Sequence, residues 1–440
     1  WVRDPITVSF SEPLRPSTVS PQSVRLSATG AVLLSATPGL SADGRTLTVA
    51  PASLPSVPNT LTLTLAGLTD GAGDALPTQS WSWTLPEWQA PPGADPLPDP
   101  AAQGFEPRLA RGPDGTLFLA YERADGIALE RFTAGAWQPV GPAWQPVAGS
   151  SLYLQGLAVD PAGRPVAALL DSAGGALSGY AGRWTGSAWE TLGGPISADP
   201  GNELGPLELA LDPTGIPTVA AAELTSTGGY AQVWRLAAGA WNSPGPALNF
   251  SPTGPQLWGL ALGGGEARML LGVLDGGTWK GLLAHETGST WDAQTGPLVA
   301  PAGGDLGPSS LAVDAQGVVT VATTVPDGAG GFQGLVARPA NGTWAPLGAS
   351  AGPARAVRPP PLALDANGQP VVAFETPDRK AVVRRWSGSA WLDVAGAFHA
   401  AAGEGTVPSS MVLDDSGNPW LAVVDVTGLN AQSYVLRLNR

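Results

Sequence analysis

The sequence predicts an all-β protein in which a small β-sandwich, residues 1–85, precedes a seven-bladed β-propeller of four-stranded blades, residues 86–440. Three observations carry that expectation. One tryptophan returns at a nearly constant interval, an Asp-x-x-Gly turn returns between paired apolar stretches, and in the first 85 residues that period disappears while apolar and polar residues alternate. Composition agrees: 59 Gly and 45 Pro suit many short strands joined by tight turns, because glycine reaches positive φ and proline presets a turn. With 43% apolar and 13% charged residues the chain has ample material for a core.

The repeat is anchored by Trp137, Trp189, Trp241, Trp291, Trp344 and Trp391, at spacings of 52, 52, 50, 53 and 47, each with a Gly two or three residues before it. Self-similarity at a period near 50 marks a solenoid or a propeller. Most repeats also carry an apolar stretch ending in Asp-x-x-Gly, at Asp160, Asp212, Asp314, Asp365 and Asp414, followed by a second apolar stretch such as Pro-Val-Val-Ala-Phe at 370–374. This reads as strand, tight turn, strand, with the Asp bonding its own turn and the Gly at positive φ. A third strand then leads through a Gly turn into the Trp strand. Four strands, A to D from the axis outward, make a blade.

The last repeat starts near Thr406 and reaches Arg440 without a Trp strand. Trp88 lies 49 residues before Trp137, one full period, so the strand around Trp88 is expected to complete the last blade and close the ring. Residues 86–104 thus read as closing strand and linker.

Recurrence also sorts the charged residues. Six positions before each anchor Trp stand Arg131, Arg183, Arg235, His285, Arg338 and Arg385, with Arg437 matching in the last blade. A residue required once per blade reads as structural, stacked on a Trp or paired within the blade. Strand B ends in an acid in six blades, at Glu122, Asp171, Glu223, Asp275, Glu375 and Asp425, with Thr324 in the fifth. These are expected as a ring of carboxylates at the channel mouth, either solvated acids that hold loops or an electronegative funnel for a cation or basic ligand. Trp258 and Trp279 fall on the same face, with Tyr180, Tyr230 and Phe332 at similar places. Such rings either pack between blades or grip a sugar, and the six acids with Trp258 and Trp279 are the ligand-binding candidates.

In the first segment, Ile-Thr-Val-Ser-Phe-Ser-Glu-Pro-Leu at 6–14, Asp-Gly-Arg-Thr-Leu-Thr-Val at 43–49, the run 68–76 and Trp-Ser-Trp-Thr at 81–84 resemble bacterial Ig-like domains of the S-layer type. The propeller is similar to repeats of exported bacterial surface proteins, without the phrases of WD40 blades or sialidase boxes. The resemblance implies an extracellular or cell-surface setting and a spacer role for the sandwich. That copy begins late, at Trp1 to Asp4, with little of the usual opening strand, so the expectation is either that the parent protein extends upstream or that another chain fills this edge, a route to self-assembly.

Several function classes recede. A formal charge of −14 with no basic run argues against nucleic acid. With no Cys there is no thiolate nucleophile, and His285 and His399, the only histidines, have neither metal nor triad spacing. No phosphate loop or nucleophile elbow occurs, so no cofactor is expected; calcium at the Asp70/Asp74 loop competes with a plain turn. No apolar run reaches the roughly 20 residues that span a bilayer, and any export signal would lie outside this chain. The expected function is non-catalytic: an extracellular protein binding a glycan or cell-surface protein, or assembling into an array. The alternative is a polysaccharide hydrolase or lyase using two ring carboxylates at the channel mouth.

Overall fold

In the stretches 24–28, 46–49 and 61–65 apolar side chains recur at every second position, which gives a strand one face for the core and one for water. The computed structural model follows this pattern; it describes residues 6–29, 32–51, 59–85, 87–91, 97, 107–173, 177–197, 203–225, 228–250, 254–293, 296–356, 358–400, 405–427 and 430–438. Strands and one short 3-10 turn, Pro16–Thr18, are the regular elements among them. The chain divides into two compact units, residues 1–89 with 438–440 and residues 90–437.

In the first unit one sheet runs in the order Val32–Leu34, Val24–Ala28, Asn59–Leu65, Gln79–Leu85, and the other in the order Ile6–Ser9, Thr46–Pro51, Ala36–Leu40. Leu26, Leu47, Val49, Leu61 and Leu63 meet between them, each at most 2% exposed. Burial of each such side chain contributes about 1.5–3 kcal/mol. A one-residue slip of the 59–65 strand would replace Leu61 and Leu63 in the core by Thr62 and Thr64, so the pattern fixes the register. Ile6 pairs with Val49; residues 1–5, on which the open-edge expectation rests, lie outside the described residues.

The second unit holds sheets of antiparallel strands in chain order, and seven are found among the described residues. In the second, the strands are Leu152–Val159, Pro165–Asp171, Ser178–Trp184 and Trp189–Thr191, labelled A to D. Strands A of successive sheets pack on one another, and that of the seventh, Gly405–Leu413, packs on that of the first, Arg108–Arg111, which closes the ring of a β-propeller. The seventh sheet takes Trp88–Gln89 as its outermost strand, as the period predicts. Near the axis the sheets approach so closely that side chains are excluded: a Cβ at Gly156 would stand 2.9 Å from Cβ of Leu209, and one at Gly259 2.8 Å from Cβ of Leu311.

The repeated residues bind each sheet to the next. Several anchor tryptophans reach back: the indole N–H of Trp241 donates to Leu192 O at 2.9 Å, Trp344 to Gly296 O at 3.0 Å and Trp391 to Leu347 O at 2.7 Å. The arginines reach forward, onto the carbonyl of the glycine that closes the next sheet's A–B turn. Arg183 donates to Gly215 O at 2.9 Å, Arg235 to Gly265 O at 3.3 Å, and Arg338 and Arg385 to the carbonyls of Gly368 and Gly417. All of these turns but that of Gly265 are set by their Asp. Asp212 Oδ1 accepts from the amides of Thr214 and Ile216 at 2.8 and 2.9 Å, and Gly215 sits at φ 87°, a region that favours glycine. His285 occupies the Arg position of the fourth sheet and bonds Glu266 at 2.9 Å, while Arg437 lies over the rings of Phe132 and Trp420. The structural reading of this position therefore holds in these six sheets.

Candidate functional site: the axial cavity

Strand A faces the axis, so the character of the channel is decided by the residues that open strand A. In four sheets that opening is irregular. The A–B register shifts between Leu154 and Gly156, Leu204 and Leu207, Leu257 and Gly259, and Pro408 and Ser410. A bulge takes a residue out of the ladder and re-aims its side chain. Gln155 and Trp258 are such residues, and both line a cavity of about 630 Å³ on the axis. Its wall also includes Arg108, Tyr153, Glu208, Gln256 and Trp279, contributed by the first, second, third and fourth sheets, and Arg358, from the segment that leads into the sixth.

The fourth sheet supplies an aromatic platform. Trp258 is 6% exposed, its indole N–H donates to Gln256 Oε1 at 3.2 Å, and its ring lies over Gly272. A Cβ at 272 would stand 2.3 Å from the indole, so glycine there is what lets the ring lie flat against strand B. Trp279 tilts 45° to Trp258 with centroids 6.5 Å apart, and its backbone N–H is held by Asp305 Oδ1 at 2.8 Å. Gln155 accepts from Leu207 N at 3.2 Å, which ties the second sheet to the third across the wall. Arg108 donates through Nη1 to Ser409 O at 3.2 Å, which seats it between the first sheet and the seventh.

The predicted ring of acids requires correction. Glu122, Asp171, Glu223, Glu375 and Asp425 are all buried, at 6% exposure or less, so they form neither a solvated rim nor an open electronegative funnel. Each carboxylate is an acceptor inside the frame. Glu122 Oε1 accepts from Leu154 N of the next sheet at 2.6 Å, Asp171 from Ser150 Oγ at 2.6 Å and Ala173 N at 2.7 Å, and Asp425 from Thr406 Oγ1 at 2.9 Å. Glu223 accepts from the Tyr230 hydroxyl, and Glu375 pairs with Arg355. Asp275 alone is open, and it pairs with Lys280 at 2.7 Å. The physical reason is that strand B is largely buried on both faces, as in Pro165–Asp171 and Pro370–Glu375, so an acid at its end is drawn inside where neighbouring N–H and O–H groups bond to it. Of the eight candidates, the cavity brings together Glu122, Trp258 and Trp279.

The polar members that sequence reasoning missed have a readable signal. Six residues before the turn Asp stand Pro206, Pro308, Pro359 and Pro408, and in the second sheet Leu154. The first three prolines and Leu154 line the cavity, and Glu208, Gln155 and Arg358 are within two residues of that position. Of the remaining aromatics, Tyr180 packs into the core of the first and second sheets and Phe332 is 39% exposed. In the first unit, Asp70 Oδ1 accepts from Gly73 N and Asp74 N, both at 2.8 Å, and these amides hold its carboxyl below the usual range. Among the described residues no cluster of three His, Cys, Asp or Glu is placed to hold a metal, and no helix is long and apolar enough to cross a membrane.

Comparison with known proteins adds the following. No curated protein matches the chain. Among solved structures, a protein of unknown function from Dyadobacter fermentans DSM 18053 is similar at 13% identity and TM-score 0.45, over 81% of this chain and 100% of that one. Polysaccharide lyase Uly1 is similar at 11% and 0.47, over 77% and 90%, and a fucose-specific lectin from Aleuria aurantia at 15% and 0.41, over 66% and 96%. Residues 2–85 match the family model of the bacterial Ig-like domain, in agreement with the resemblance read from their motifs.

Proposed function

We propose that this chain is an extracellular, non-catalytic carbohydrate-binding protein whose site is the axial cavity. One observation carries the reading: the cavity joins a tilted tryptophan pair to planar hydrogen-bonding groups, Gln155, Gln256, Glu208, Arg108 and Arg358, in a single wall. A sugar ring has an apolar C–H face and an equator of hydroxyls, and this wall offers a partner for each. A volume of 630 Å³ falls within the range of about 300–1,000 Å³ usual for ligand sites, with room for a short oligosaccharide. The non-catalytic part is supported by Glu122, whose Oε1 is committed to a backbone N–H and is poorly placed to exchange a proton with a substrate. The extracellular setting is supported by the bacterial Ig-like segment.

The test is calorimetric titration of the full chain against soluble oligosaccharides drawn from a glycan-array screen, with Trp258→Ala and Trp279→Ala alongside. Saturable binding, weakened at least about tenfold in folded variants, is expected. Absence of carbohydrate binding, or variants that bind as the parent does, would refute the site. Release of reducing ends or unsaturated sugars, abolished by Glu208→Gln or Glu122→Gln, would replace the binding reading with the hydrolase or lyase one.

A further inference from the structure

Each sheet runs A to D outward in chain order, so the hairpins that join B to C fall on one face of the ring. They differ in what they present there. In the first and sixth sheets the hairpin closes its charges on itself: Arg123 pairs with Asp125 at 2.9 Å and Lys380 with Asp378 at 2.8 Å. In the third, fourth and fifth, which are successive, Leu224, Leu274 and Phe332 flank the hairpin, and Val299 joins them from the segment between the fourth sheet and the fifth. These four side chains belong to residues 38% to 48% exposed, so an apolar sector stands open to water beside a charged one.

The sector is continuous. Leu274 lies opposite Trp279 in the ladder, and Leu298, the neighbour of Val299, exchanges backbone hydrogen bonds of 2.7 and 2.9 Å with Gly281. A Cβ at Gly304 would stand 3.2 Å from Cγ of Pro326, whose ladder partner is Phe332, and one at Gly254 would stand 2.6 Å from Cδ2 of Leu224. Acids edge it. Asp305 and Asp327 are exposed and accept from backbone amides, Trp279 N and Ala329 N, both at 2.8 Å, and among the described residues no cation pairs with either. We propose that this sector docks a polypeptide segment of another protein, apolar at its centre and flanked by Lys or Arg. An apolar patch edged by charge is the make-up of a protein contact. The cavity lining reaches the sector at Leu224 and Trp279 and stops there; beyond it, Leu274 and Val299 offer aliphatic surface with no ring face or hydrogen bond for a sugar. The two acids favour a cationic partner, and the formal charge of −14 adds a field of the same sign that repels a second copy or an anionic lipid surface.

The experiment pans a phage-displayed random dodecapeptide library on the full chain, with counter-selection on Leu274→Ser/Phe332→Ser, two positions outside the cavity lining. Enriched peptides are expected to combine apolar residues with an excess of Lys and Arg. A synthetic copy should bind the parent at least about tenfold tighter than the double variant at equal melting temperature. Asp327→Asn, whose amide oxygen can still cap the loop, should weaken binding less, and rising salt should erase that difference. No enrichment, peptides without a cationic excess, or equal binding by the double variant overturns the inference. Two further readouts separate the occupants. An oligosaccharide bound by the parent and lost in the double variant would make the sector part of the sugar site, and self-association of the parent abolished in the double variant would make the occupant a second copy; either result overturns the inference.

Discussion

Gly272→Ala probes how the aromatic wall is built. Residue 272 lies opposite Gln256 in the fourth sheet, and an added Cβ would stand 2.3 Å from both Cε2 and Cζ2 of Trp258 and 2.9 Å from its Nε1. Carbon atoms are at rest near 3.5–4.0 Å, so the ring or the strand must give by roughly 1 Å. Trp258 is 6% exposed and flanked by Trp279, and overpacking of this kind costs about 1–3 kcal/mol. The backbone at 272 is not in the left-handed region, so alanine brings no strain of its own. On chain entropy alone it would stabilise by about 0.4–1 kcal/mol. The sign of the effect therefore depends on the indole: destabilising in the parent, neutral or stabilising in a Trp258→Ala background. Urea midpoints at constant m for the two single variants and the double variant give a coupling of about 2 kcal/mol. Equal effects in the two backgrounds would refute the seating of Trp258 on Gly272.

Three further outcomes follow from the same geometry. Arg235 pairs with Glu286 at 2.8 Å, and Glu286, with its side chain 5% exposed, also accepts from Ala267 N; Arg235→Ala should cost about 2–3 kcal/mol by urea unfolding, much of it regained in Arg235→Leu/Glu286→Leu. Burial lifts the Glu130 carboxyl above its ordinary 4.5 despite the Tyr121 hydroxyl that donates to it at 2.8 Å. Because the folded form holds its proton more tightly, stability from this group is full at pH below 4.5 and is lost as pH rises through the folded pKa. Glu130→Gln should therefore gain stability over the parent at pH 7 and not at pH 4; a gain equal at both would contradict the assignment. Finally, titration should give one ligand per chain, since the tryptophan platform occurs in one sheet, whereas a stoichiometry near the number of sheets would place binding at the repeated residues between them.

How far the fold was legible depends on what each residue had to do. The Trp and Arg repeats and the Asp-x-x-Gly turns were visible because every sheet needs the same joint. Their partners were not: Arg183 meets a carbonyl 32 residues ahead and Trp241 one 49 residues behind, contacts that exist only once the sheets are stacked. The acids at the ends of strand B misled for a related reason. An Asp or Glu after an apolar run reads as solvated, yet Glu122 and Asp425 are satisfied by Leu154 N–H and the Thr406 hydroxyl, groups from strands A that local sequence does not connect to them. Arg108, Gln155, Glu208 and Arg358 were overlooked because the opening of strand A varies from sheet to sheet, and a search for recurrence discards variation.

That discarded variation is where the chemistry lies. A lining repeated at every sheet would present the same group to the axis all around, and a ligand without that symmetry would find no orientation better than the others. Here the frame repeats and the wall does not. The bulge position holds Gln155 in the second sheet, Trp258 in the fourth and Ser409 in the seventh, where Ser409 Oγ donates to Pro107 O at 3.3 Å and so closes the frame instead of opening a contact. Irregular pairing at the start of strand A lets these side chains change without disturbing the ladder further out, where the tryptophan and arginine joints carry the stability. The separation has a physical basis: substitutions inside the cavity alter few of the contacts that hold sheet to sheet, so the site is free to be specific while the frame stays fixed.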